Sequence, residues 1–298
     1  MKFGVTLPVG VVGTNGRVLP YAEIRALART VEQSGLDSIW IYDHLIFHFP
    51  GKPREGVWES WTVISALAGV TERVELGNIV ICTAHRNPAV LAKMAVTLDE
   101  VSGQRLILGL GAGWNQPAFK MFDLPSDHLV DRFEEAVKII TPLIREGKVD
   151  FHGTYSSAVD CEILPRPGRK IPVMFGANKP RMLKLTARYA DSWNANGLGQ
   201  VAGLAPKRAE LEAAATEVGR DPSTLAITAG INIAFPDLGD VPAGAGDPAR
   251  FLSGSIDEIA TGLRGFIDQG VSHAMAWLYP LTDETIGRYA EAVARARS

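Results

Sequence analysis

Residues 76–114 read LGNIVICTAHRNPAVLAKMAVTLDEVSGQRLILGLGAGW, and this stretch decides the architecture. Ile79-Val80-Ile81 is a solid apolar run, the signature of a strand buried on both faces. Asn87-Pro88 opens a helix with a cap residue followed by a proline at the first helical position, where the missing N–H costs nothing. Leu91, Met94, Ala95 and Leu98 then give that helix one apolar face, and Gly103 stops it. A second apolar run, Leu106-Ile107-Leu108, leads into Gly109-Leu110-Gly111-Ala112-Gly113-Trp114. Strand, crossover helix and strand make a parallel βαβ unit. Its polar and glycine-rich residues fall just past the carboxyl ends of the strands, where α/β proteins bind ligands.

Working outward, the alternation continues in both directions. Strands are expected at Phe3–Leu7, Ser38–Tyr42, Ile171–Phe175, Ala190–Ala195, Ala226–Ile233 and His273–Leu278. Helices fall between them: one carries Ile24, Leu27, Ala28 and Val31; one runs from about Trp58 to Val70; one carries Phe133, Ala136, Val137 and Ile140, with Pro142 expected to kink its last turn; one follows Pro180; one spans Pro206–Val218; one opens with the capping box Ser255-Ile256-Asp257-Glu258; and the last carries Ile286, Tyr289, Ala290 and Val293. Eight strand–helix repeats predict an α/β fold, a single (β/α)₈ TIM barrel over residues 1–298. Two segments interrupt the repeat. Val149–Leu164 lacks helix periodicity and reads as a hairpin inserted before the fifth strand. Phe235–Gly254, before the seventh helix, is rich in Gly, Pro, Asp and Ala and reads as a lid or binding loop.

The net charge of −3, with no run of basic residues, argues against nucleic acid as a partner. Two cysteines in 298 residues do not form a disulfide framework, which suits a reducing cytoplasm. The chain enters a strand at once, so no leader peptide is expected, and no apolar run is long enough for a membrane span. The expected partner is a small-molecule substrate, and a homodimer is left open.

Five successive strand ends carry the candidate site residues. Asp43-His44 sits at the rim of the second strand, either as a cap with a structural histidine or as a proton-handling pair. His44 and His48 are four apart, but no third residue has metal-ligand spacing, so no metal is expected. Ile79, Val80 and Cys82 mark the third strand's exit. The glycines of Gly109-Leu110-Gly111-Ala112-Gly113 allow close backbone approach to a flat ring, with Trp114 as a pocket wall or as rim packing. Gly176-Ala177-Asn178-Lys179 precedes a helix whose free N–H groups suit an anion, with Lys179 and Arg181 adding positive charge; an ordinary asparagine cap is the alternative. Asn194 and Asn196 are pocket donors, and Asp191 is structural. Arg86 and Arg105 are expected to pair with acids such as Asp99 or Glu100.

The stretch 76–114 also resembles the bacterial luciferase-like family of flavin- and deazaflavin-dependent oxidoreductases, whose pattern is LG…V……R.PA.LAK…TLD..S..R..LG.GAGW. The matching residues include Leu76, Gly77, Val80, Arg86, Pro88, Leu91, Leu98, Asp99, Ser102, Arg105, Gly109 and Gly111 through Trp114. The resemblance implies that His44 stands over the reactive face of a bound ring as the catalytic residue. It implies a cis peptide bond between Ile79 and Val80 backing that ring, Cys82 at the ring edge, and a cofactor phosphate at 176–179, with Asp43, Ala112 and Gly113 completing the cofactor site. Members often carry Glu at the position of Ala118, and some carry an acid at that of Trp114; neither is present here. The implied activity is hydride transfer between coenzyme F420 (8-hydroxy-5-deazaflavin) and an unidentified small organic substrate. The alternatives are an FMN-dependent monooxygenase using molecular oxygen and a non-catalytic flavin-binding protein.

Overall fold

The computed structural model describes residues 1–49, 51, 53–239, 241–242, 247 and 249–298. Eight parallel strands form its centre: β1 (Lys2–Thr6), β2 (Ser38–Ile41), β3 (Glu75–Asn78), β4 (Leu106–Gly111), β5 (Val173–Gly176), β6 (Ser192–Leu198), β7 (Ala226–Ala234) and β8 (His273–Tyr279). Each pairs with the next, β8 pairs with β1, and the contact of β4 with β5 closes the ring. The result is the closed (β/α)₈ barrel that the repeat count predicts.

Eight helices surround it: α1 (Tyr21–Gln33), α2 (Ser60–Ala68), α3 (Pro88–Val101), α4 (Leu129–Glu146), α5 (Pro180–Tyr189), α6 (Leu204–Glu217), α7 (Ile256–Asp268) and α8 (Asp283–Arg297). Local chemistry sets their ends. The Asn87 side chain accepts from the N–H groups of Ala89 and Val90 at 3.0 and 3.1 Å, and Ser255 with Glu258 forms the expected capping box. Gly147, at φ +77°, ends α4 one turn beyond Pro142.

The strands read as continuous apolar runs because both faces are covered. Phe3, Val5, Ile39, Ile41, Leu106, Leu108, Val173 and Phe175 join the helices in one large core. Trp40, Ile79, Met174 and Met275 form a separate cluster inside the barrel. Glycines make room there: a Cβ on Gly77 would lie 2.2 Å from the Trp40 ring, and one on Gly109 would lie 1.9 Å from the Asn78 carbonyl oxygen. The Ile79–Val80 peptide bond is cis, at the position the resemblance implies, and the chain re-pairs with β4 at Ile81–Cys82.

The Val149–Leu164 segment is the expected antiparallel hairpin, Lys148–His152 against Ser157–Glu162. Several features depart from expectation. Strand β6 runs to Leu198 across a register shift, past the expected end at Ala195, so Asn196 lies within it. An antiparallel ribbon, Ile46–Phe47 with Glu55–Gly56, and a short helix, Gln116–Met121, are additional elements built into the loops after β2 and β4. Both are too short for periodicity to mark them. The Phe235–Gly254 loop holds a turn of 3₁₀ helix at Pro236–Leu238 and a two-residue strand at Leu252–Ser253 beside β7; residues 240, 243–246 and 248 of that loop lie outside the described residues. Among the described residues no helix is long and apolar enough to cross a membrane.

Candidate active site

A cleft of about 680 Å³ opens at the carboxyl ends of the strands, within the range of small-molecule and cofactor sites. The candidate residues at the five strand ends line it, Arg181 excepted. His44 and Asp43 come from the end of β2, and Ile79, Val80 and Cys82 from the interrupted third strand. Ala112, Gly113 and Trp114 follow β4. Gly176, Ala177, Asn178 and Lys179 follow β5, and Asn194 and Asn196 belong to β6. Val80 projects between β4 and β5: a Cβ on Gly111 would lie 2.6 Å from its Cγ2, and one on Gly176 would lie 3.2 Å from its Cγ1. Side chains at either position would displace this apolar platform.

Asp43 borders the cleft, but its buried carboxylate is committed elsewhere. It accepts from both terminal nitrogens of Arg86 (2.8 and 3.1 Å), from the Ser60 hydroxyl (2.7 Å) and from the Cys82 N–H (3.0 Å), with His85 Nδ1 at 3.4 Å. Burial alone would raise its pKa, but the nearby His85 ring and the bonds and charge of Arg86 outweigh burial and hold the acid well below the usual carboxylate range. Arg86 also bonds Glu59, whose carboxylate caps α2 through the Trp61 and Thr62 N–H groups. The expected pairing of Arg86 with Asp99 or Glu100 is therefore corrected. Asp99 is taken by Arg169 (2.7 Å), and Arg105 donates to the carbonyls of Ala68, Thr71 and Val74.

His44 has no hydrogen-bond partner among the described residues. Its ring lies 4.5 Å from that of Phe47 and edge-on to Trp114 at 5.4 Å. Burial lowers its pKa to about 4; Asp43 pulls upward and His85 adds to the fall. At neutral pH His44 is thus a neutral imidazole, able to accept a proton but not supplying a cation. Cys82 is a protonated thiol, its pKa pushed up to about 12 by burial and by Asp43, so it is no nucleophile.

At the turn before α5 the cap position is Lys179 in extended conformation with no side-chain cap, so the alternative of an asparagine cap does not hold. The N–H groups of Arg181 and Met182 in the first turn are left without intrahelical acceptors. Arg181 does not add charge to the cleft, because it pairs with Asp131 (2.5 Å) and Glu134 (3.1 Å) on α4. Lys179 makes no ion pair among the described residues and lines the cleft. Asn194, 1% exposed, donates to Thr228 Oγ1 at 3.0 Å, while its Oδ1 has no partner. Asp191 is structural as expected, bonded by Lys170, Arg145 and the Val173 N–H. Among the described residues no group of three His, Cys, Asp or Glu side chains could hold a metal ion.

Sequence reasoning missed Tyr42, Phe47, His85, Phe119 and Trp277, which also line the cleft. Tyr42 and Trp277 lie at inward positions near strand ends, a signal that alternation along β2 and β8 carries once the barrel is assumed.

The model of the luciferase-like monooxygenase family matches residues 1–240. The chain belongs to this family. The pyrimidine monooxygenase RutA of Enterobacter cloacae subsp. cloacae is 31% identical over an alignment of 239 positions that covers 74% of this chain and 64% of that protein's length. Among solved structures, an F420-dependent secondary alcohol dehydrogenase in complex with an F420–acetone adduct superposes with a TM-score of 0.83 at 19% identity, covering 100% of this chain and 99% of that one. The monooxygenase RslO1 from Streptomyces bottropensis gives 0.79 at 20% identity, covering all of both chains. At these identities the structural likenesses show the fold.

Two outcomes follow from the electrostatics. Replacing Arg86 by Met leaves the Asp43 carboxylate buried without its main donors and should cost about 3–5 kcal/mol in urea denaturation. In the unfolded chain His44 takes up a proton as pH falls through about 6.5, while in the folded chain it stays neutral down to about 4. The unfolded state then binds more protons, so this contribution to stability falls with pH between those values and levels off below about 4. His44→Gln should remove roughly 1–3 kcal/mol of that decline, read from denaturation curves at pH 7, 5 and 4; an unchanged decline would show that His44 does not titrate this way.

Proposed function

We propose that the chain is an oxidoreductase passing hydride between coenzyme F420 and a small organic alcohol or carbonyl compound. The observation that carries this reading is His44: a neutral imidazole in the mouth of the cleft with no hydrogen-bond partner among the described residues. When a carbinol becomes a carbonyl, its hydroxyl proton needs an acceptor, and the reverse reaction needs that proton returned. A histidine kept neutral by burial can do both.

The residues present fit the cofactor. Val80, held between Gly111 and Gly176, gives an apolar platform for a flat ring. Gly113, at φ +84°, brings main chain to the ring edge without a side chain, since a Cβ there would lie 2.5 Å from Cys82 Sγ. Lys179 and the free N–H groups of Arg181 and Met182 suit a phosphate. When bound, the deazaflavin supplies a ring carbon that takes or gives hydride. His44 moves the proton, the turn at 176–179 holds the anion, and Trp114 excludes water from one side. The fold shared with an F420-dependent alcohol dehydrogenase supports the reading. The second reading, an FMN-dependent monooxygenase, is favoured by the 31% identity to a pyrimidine monooxygenase.

Titration of the purified protein with F420 and with FMN, followed by fluorescence quenching, should give micromolar or tighter F420 binding and weaker FMN binding. Tighter FMN binding, with oxygen consumed during turnover, would establish the monooxygenase instead. His44→Ala should lower turnover by roughly 10²-fold while F420 affinity changes little. Lys179→Ala should weaken F420 binding and flatten its salt dependence. Arg181→Ala should leave binding close to that of the parent protein, because Arg181 is already paired on α4.

A further inference from the structure

Aromatic rings form a continuous wall on the β2 side of the cleft, running outward to the rim. Trp277 on β8 stacks on Tyr42, with centroids 5.4 Å apart and 21° between planes. Tyr42 leans on Phe47 at 5.9 Å. Phe47 lies almost parallel to Phe49 (6.0 Å, 12°), and Phe49 to Trp114 (6.1 Å, 25°). His44 touches this wall at Tyr42, Phe47 and Trp114. The two outermost rings are open to solvent, Phe49 at 37% and Trp114 at 58% exposure.

Large apolar rings exposed beside a cleft mark a surface that a ligand covers, and Trp114 is held in place. Gly113 sets the direction of Trp114 through a backbone conformation and a close approach to Cys82 that other residues could not adopt. Asn115, only 5% exposed, donates its amide to the Ile46 carbonyl at 2.7 Å, which locks the loop carrying Trp114 onto the ribbon carrying Phe47. Tyr42 is 3% exposed, and its hydroxyl approaches the main-chain N–H groups of Gly10 and Val12 without a well-aligned bond. Among the described residues the wall carries no charged side chain. Lys179 lies at the end of β5, three strands from β2.

We infer that this wall is the substrate face of the cleft, and that the substrate is a flat aromatic alcohol or ketone whose rings lie along Phe49 and Trp114 with its oxygen against His44. The oxygen's role rests on the hydride-transfer reading; the preference for flat rings rests on the wall alone. Each ring stacked against an aromatic side chain gains about 0.5–1.5 kcal/mol beyond its buried area, a factor of roughly 2–12 in affinity.

The test is calorimetric titration with 2-naphthylmethanol and with its saturated analogue, decahydronaphthalen-2-ylmethanol, on the protein alone and on the protein saturated with F420. The flat alcohol should bind at least roughly fivefold more tightly than the saturated one. Trp114→Ala and Phe49→Ala should each weaken it roughly two- to twelvefold, with the saturated alcohol little changed and F420 affinity kept within about twofold. Neither side chain belongs to the buried core, and unchanged thermal melting confirms that the variants fold. Equal affinity for the two alcohols, or naphthylmethanol binding indifferent to both substitutions, would overturn the inference. Failure of F420 to bind, with naphthylmethanol binding still dependent on Trp114, would count against the cofactor reading and for the wall.

Discussion

The mouth of this barrel is organised around one buried carboxylate. Asp43 binds Ser60 in the first turn of α2, the Cys82 N–H beyond the cis bond, and Arg86 before α3. A single anion at the end of β2 thus ties down the start of α2 and the loop from Cys82 to Arg86, both remote from it in sequence. Arg86 extends the tie to Glu59, the cap of α2. Such a network is close to all-or-none, because loss of one partner leaves a charge in low dielectric at a cost of several kcal/mol. The cleft walls on the β2 and β3 sides therefore stand or fall together.

The same network sets the chemistry of its neighbour. Asp43 pulls the His44 pKa upward, but burial outweighs that pull and His85 adds to the fall, so the imidazole stays neutral. Across the cleft the cations divide in a related way: Arg181 is consumed by two acids on α4, and Lys179 faces the cavity. The site that results has a neutral proton acceptor and an aromatic wall on one side, and an anion-suited turn on the other.

Much of the fold is legible along the chain. The apolar face of Leu91, Ala95 and Leu98, the Asn87-Pro88 start and the Ser255–Glu258 capping box each depend on residues within a few positions of one another, and each appears as read. Eight repeats in one chain lead to closure, and closure brings the strand ends at 43–44, 78–82, 111–114, 176–179 and 194–196 to one mouth. The location of the cis bond came from family resemblance, since nothing in the residues Ile79 and Val80 demands it.

What the sequence by itself determined is therefore local periodicity, helix ends, strand count and the set of strand-end residues, because these follow from short-range geometry and from the near-universal rules of βα connection. Only the tertiary structure decided which charges neutralise one another. Arg86 pairs with an acid 43 positions upstream rather than with the acids on the next helix, and Arg181 turns to α4 rather than to the cleft. It also decided that Tyr42, Phe47, Phe49, Trp114 and Trp277 make one wall, and that His44 is neutral. Ion pairing, stacking and proton affinity depend on distance and burial in space, and those quantities exist only once distant segments have packed together.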